Sequence, residues 1–137
     1  MQLADSVRDA INDAIDTAVT VNAEMRFFVT GGVTPLNEAA QIIANSPTFN
    51  ASSAGVVAIN TTTALEDTTP AGHASPVTRL CFYTSATPAD TAFLLQLGIN
   101  PTGAPDITMA NNTIATTDTV QLTSLTITCP AGTPDVT

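Results

Sequence analysis

The apolar period changes once along this chain, and the place where it changes divides the sequence into two kinds of structure. From Leu3 to Val19 apolar residues recur every four positions (Leu3, Val7, Ile11, Ile15 and Val19), with Ala10, Ala14 and Ala18 beside them. That spacing predicts one amphipathic helix with a broad apolar stripe. Asp5, Asp9, Asp13 and Asp16 take the other side with Arg8 and Asn12. Acids four apart repel one another modestly, and the helix dipole favours only those near the amino end, Asp5 and Asp9. A helix of this length is marginal by itself in water. Its stripe must therefore dock, either on the chain's own body or on the same helix of other subunits. From Glu24 onward the period is two and β-branched residues take over. Residues 1–22 are thus read as helix and linker, and 23–137 as a β domain.

Within that β domain, Glu24–Thr30 (EMRFFVT) reads as a strand ended by Gly31-Gly32. Ala39–Asn45 suits a strand or a short helix; Asn45-Ser46-Pro47 closes it with turn chemistry and favours the strand. Gly55–Thr61, Val77–Thr84, Ala92–Ile99, Asp106–Met109 and Thr119–Cys129 follow as strands, with Val77–Thr84 expected at the centre of a sheet. Thr62–Ser75 reads as a polar loop, and Thr87–Asp90 as a turn. In the last strand Val120 and Leu122 share a face that Leu125 and Ile127 do not, which predicts a break near Ser124. Roughly seven or eight short strands with no helical crossovers predict a mainly β fold: an antiparallel β-sandwich or jelly roll with one N-terminal helix.

Composition narrows what such a fold can do. Charged residues make up 11 % of the chain, against about 25 % in ordinary soluble domains. There is no lysine, and 12 acids face three arginines for a net charge of −9. Nucleic acid is therefore an unsuitable partner, because phosphate binding needs clustered Lys and Arg. Anionic membrane surfaces are disfavoured for the same reason. No apolar run of about 18 residues predicts a membrane span, and the acid-apolar alternation of residues 1–20 does not read as a secretory signal. A surface so poor in charge points to coverage by other subunits.

Groups able to do chemistry are scarce. His73 is the only histidine; a triad with Glu66 or Asp67 and Ser75 is conceivable, but no nucleophile elbow accompanies it, and an exposed loop histidine is the plainer reading. Glu66, Asp67 and Asp90 lack the spacing of a calcium loop and read as solvated acids. Cys81 and Cys129 match no metal spacing and read as two apolar thiols, with a disulfide left open. Sequons at Asn50, Asn60 and Asn111 read as chance in a chain rich in Asn and Thr. Arg26 and Arg79 lie in strands, either on the outer face or paired with acids across an interface. No catalytic residue, cofactor site or metal site is expected.

Several blocks taken together carry a resemblance: LADSVRDAINDAIDTAV, EMRFFVTGG, NSPTFNASSAGVVAINTTT, SPVTRLCFYTS, and DTVQLTSLTIT before Cys129-Pro130. Their layout resembles small virion proteins of tailed bacteriophages, in which an amphipathic helix precedes a compact β domain. The likeness covers nearly the whole chain but rests on no single diagnostic motif, and it departs at AQIIAN and AFLLQLG. It implies a capsid cement or decoration protein, made in the host cytoplasm and carried on the phage head. Its partners would be the major capsid protein and further copies of itself, as dimers or trimers. Self-association would use Leu3, Val7, Ile11, Ile15 and Val19. The alternatives are a head-fibre base, a tail accessory or head–tail connector protein, or a carbohydrate-binding attachment module.

Overall fold

The computed structural model describes residues 3–19, 23–31, 35–83, 95–99, 107, 109 and 111–131. The turn at Thr87–Asp90, residues 92–94 of the Ala92–Ile99 strand, residues 106 and 108 of Asp106–Met109 and the chain from 132 lie outside the described residues. In chain order the elements are α1 (Asp5–Ala18), β1 (Glu24–Val29), a 3-10 turn (Pro35–Asn37), β2 (Glu38–Ile43), β3 (Val56–Ala58), β4 (Leu65–Asp67), β5 (Val77–Tyr83), β6 (Leu95–Gly98), β7 (Val120–Leu122) and β8 (Thr126–Thr128). The fold is mainly antiparallel β with one N-terminal helix.

Four strands form the main sheet in the order β2-β1-β5-β6, so β5 occupies an inner position as its apolar sequence predicts. Two short pairs accompany it, β3 with β8 and β4 with β7, and none of these sheets closes. Cross-strand partners share a face. Met25 lies opposite Ile42 and Phe82, and Phe27 opposite Ala40 and Leu80. This face meets Phe49, Val57, Ile59, Leu65, Val120, Leu122 and Leu125 in one core. Phe49 stacks on Phe82 with ring centroids 6.0 Å apart. Ile15 and Val19 of the helical segment pack on that same core.

Two strand expectations change. The segment read as one polar loop, Thr62–Ser75, contains β4, which pairs with β7. Its apolar content is little more than Leu65, fully buried, flanked by threonines and acids, too short for any period to appear. Thr119–Cys129 is two strands rather than one; β7 and β8 join different partners, with the break at Thr123–Leu125.

The outer edge of β2 is partly occupied from within the chain. The Gln41 amide donates to Asp67 Oδ2 at 2.9 Å, and the Gly72 amide donates to the Ala39 carbonyl at 2.8 Å. Gly72 has φ +69, and a Cβ there would sit 2.7 Å from the Thr116 nitrogen, so only glycine lets this segment pass so close. At the opposite end of the sheet the Ile107 amide donates to the Gly98 carbonyl at 3.1 Å.

Candidate functional site

The most informative surface is the helix, because it docks the opposite way round from a simple amphipathic element. Among Asp5–Ala18 the one buried residue is Asn12. The acids beside it hold the loop that leads into β3. Asp9 Oδ1 accepts from the Gly55 amide at 2.7 Å, and Asp16 Oδ1 from the Phe49 amide at 3.2 Å. The Ser52 hydroxyl lies 2.9 Å from Asp13 Oδ1 and 3.2 Å from the Asp9 carbonyl. Arg8 pairs with Asp5 and donates to the Cys129 carbonyl at 3.1 Å, and the Leu3 amide donates to the Ala131 carbonyl at 2.8 Å. Gly55, at φ +77, admits the arginine: a Cβ there would lie 2.5 Å from Arg8 Nη1. Carboxylates that would repel one another are thus each supplied with a donor, a backbone amide for Asp9 and Asp16 and a side chain for Asp5 and Asp13, in bonds stronger than neutral ones.

The five residues spaced by four therefore separate. An α-helix turns 100° per residue, so each step of four advances the stripe by about 40° and four steps carry it about 160° round the helix. Val19 is buried in the chain's own core and Ile15 half-buried against it, whereas Val7 and Ile11 are 46 % and 42 % exposed. Leu3 is half-buried. Val7, Ala10, Ile11, Ala14 and Ala18 form an apolar strip on the exposed side of the helix, beside exposed Ser6, Asp13 and Thr17. A shallow depression of about 390 Å³ runs from Ile11, Ala14 and Ala18 to Leu95 of β6.

The second face of the main sheet carries a charge cluster instead of a solvated surface. Glu24, Arg26 and Phe28 share it with Cys81 and Tyr83. Phe28, Cys81 and Tyr83 form a small separate core. Arg26 donates to Glu24 Oε2 at 2.7 and 3.0 Å and to Glu38 Oε2 at 3.0 Å, and its guanidinium lies 5.5 Å from the Tyr83 ring centre. Burial alone would lower its pKa; the hydrogen bond to Glu24 and the charges of Glu38, Glu24 and Tyr83 outweigh that and hold it above the ordinary arginine value. Arg26 is thus satisfied by acids of its own chain, neither exposed outward nor dependent on a neighbour. Among the described residues Arg79 makes no ion pair.

The remaining candidates are occupied by local structure. His73 Nδ1 accepts from the Ser75 amide at 2.9 Å. Asp67 accepts from the Gln41 and Thr69 amides, which leaves it at the β2 edge as a structural acceptor, while Glu66 is exposed. Asp90 lies outside the described residues. Asn60 is buried and donates to the Pro47 carbonyl at 2.9 Å, so this sequon is a structural asparagine. Cys81 and Cys129 are free thiols, buried and half-buried respectively. Sequence reasoning missed the Asp9–Gly55 and Asp16–Phe49 contacts; the signal available was an acidic face with only one helical cation to neutralise it.

Among the described residues no three metal-ligating side chains cluster, and no helix is long and apolar enough to cross a membrane. Comparison with family models, curated proteins and solved structures returns no match.

Proposed function

We propose that this chain is a structural virion protein of a tailed phage, a cement or decoration protein that binds the outer surface of the assembled head and stabilises it through oligomeric contacts. The observation that carries the reading is the helix face left outward: apolar, uncharged, and belonging to a chain with 11 % charged residues. The layout resemblance to small phage virion proteins points the same way. The finer architecture belongs to this reading too: the main sheet and the two short pairs, sharing one core, are read as the layers of a β-sandwich of jelly-roll type.

The same geometry weighs against chemistry and against sugar binding. The one histidine and its nearest carboxylate candidate both serve backbone amides. Tyr83, the one tyrosine, is buried and lies under Arg26, so it offers no open ring for a sugar to stack on. A cement protein acts by mass action, binding the assembled lattice and not its free subunits. The test is to add purified protein to heads assembled without it, then to measure copy number and the temperature at which the shells open. Saturation at hundreds of copies with a raised opening temperature is expected. No binding would overturn the role, and saturation at about 3 to 12 copies would move the protein to a vertex, fibre base or connector.

A further inference from the structure

We infer that His73 is a pH-operated catch on the outer edge of β2: its neutral ring closes the strap of residues 71–76 onto that edge, and a proton on the ring opens it. The strap is tied at successive points. The Gly72 amide donates to the Ala39 carbonyl of β2 at 2.8 Å, the His73 amide to the Ile114 carbonyl at 2.7 Å, and the Val77 amide to the Asn112 carbonyl at 2.7 Å. Between these ties the chain turns into β5, and a side chain closes the turn: the Ser75 amide donates to His73 Nδ1 at 2.9 Å. A side-chain acceptor that takes the amide two residues on is the geometry Asn and Asp ordinarily supply. Histidine supplies it only while Nδ1 keeps a lone pair, which puts the ring's proton on Nε2.

Protonation turns Nδ1 from an acceptor into a donor that meets another donor. Nothing nearby offsets the loss. Among the described residues no carboxylate pairs with His73. Residues 113–116, which line the groove beside the ring, contain no titratable group, and residues 71–76 contain none besides His73. The acids of adjoining segments are engaged elsewhere or exposed. Asp118 accepts from the Ala115 amide, Asp67 from the Gln41 and Thr69 amides, Glu38 pairs with Arg26, and Glu66 is exposed. The strap cannot slide inward to adjust, because Gly72 already lies so close to Thr116 that a Cβ would meet its nitrogen at 2.7 Å. The turn opens outward instead, and the tie next to it on the edge, Gly72 to Ala39, loosens with it. Acid thus uncovers the part of the β2 edge that the strap closes, where a further strand could pair.

The catch works whether or not the chain sits on a phage head. The experiment is NMR on the full chain from about pH 8 to about pH 5, following the His73 ring, its tautomer and the protection of single amides against exchange. The expected results are the Nε2–H tautomer at the alkaline end and a Ser75 amide resonance that titrates together with the ring. Protection of the Gly72 amide should fall on the order of five-fold as the ring takes up its proton, with Met25 on β1 unchanged. His73→Asn, whose Oδ1 can take the Ser75 amide at any pH, should keep that protection and lose its pH dependence. His73→Ala should lack it at both ends of the range. The Nδ1–H tautomer, constant Gly72 protection through the titration, or full protection in His73→Ala would overturn the catch. A fall with acid that persists in His73→Asn would overturn it as well, and would assign the opening to Asp67 on the same edge.

Discussion

Asn12 is the residue most at odds with its surroundings. It is fully buried, and its side-chain oxygen and nitrogen have no protein partner, as has Arg8 Nε one turn before it. A buried amide left unbonded costs roughly 1–3 kcal/mol, and an apolar side chain of the same shape escapes that cost. Asn12→Leu should therefore raise thermal stability by about 1 kcal/mol, seen as a melting shift of a few degrees. A lowered melting temperature would show that this amide is well satisfied. Cys81 is buried without conflict. Burial pushes its thiol up to about 11 from 9.0, with nearby Arg79 pulling the other way. Because the folded value lies above the unfolded one, the associated stability is complete below pH 9 and is lost as pH climbs through about 11. The Cys81→Ala variant should lack about 2 kcal/mol of that alkaline decline, measured by denaturant titration at several pH values. Parallel curves would remove the effect. At neutral pH an alkylating reagent should label half-buried Cys129 while Cys81 reacts only on unfolding.

At the level of elements, legibility followed length and periodicity. The helix, β1, β2 and β5 span enough residues for a period to show, and each lies where the sequence placed it to within a residue or two. β4 has three residues and one buried apolar side chain, so its pairing with β7 comes from tertiary context. β1 misleads differently. Arg26 reads as outward-facing or paired across an interface, yet Glu24 and Phe28 on its face are buried, because Arg26 pairs with two carboxylates of its own chain there. The stripe spaced by four read as a single face, and the drift of the helix divides it between core and exterior. The edge of β2 yields a prediction of its own. Asp67→Ala removes the acceptor of both the Gln41 and Thr69 amides. It should cost about 1–2 kcal/mol and accelerate hydrogen exchange at Gln41 relative to Met25 on β1. Equal protection in variant and wild type would show that another acceptor holds the edge.

For the molecule as a whole, the change of period at Glu24 looks like a boundary between two parts, but the packing joins them. Val19 and Ile15 enter the same core as Met25, Phe49 and Leu80, and the acids of α1 bind the loop before β3. Helix and strands should then unfold in one transition. The helical circular dichroism signal and the emission of buried Tyr83 are expected to share one melting curve; a helix that melts first would mean that its docking bonds are weak. Which face of the helix turns inward was not legible beforehand. Which side of an amphipathic helix turns inward depends on what waits there, and here it is the amides of Phe49 and Gly55 and the hydroxyl of Ser52, which no local pattern announces.

The plug on β2 has a consequence for how this protein can be concentrated. A bare strand edge invites identical strands to add one after another, which is how soluble β proteins convert to cross-β fibres. With Asp67 and Gly72 already bonded along part of that edge, stacking of strand upon strand has less room to start there. Crowded solutions of the wild type should stay clear where those of Asp67→Ala slowly gel.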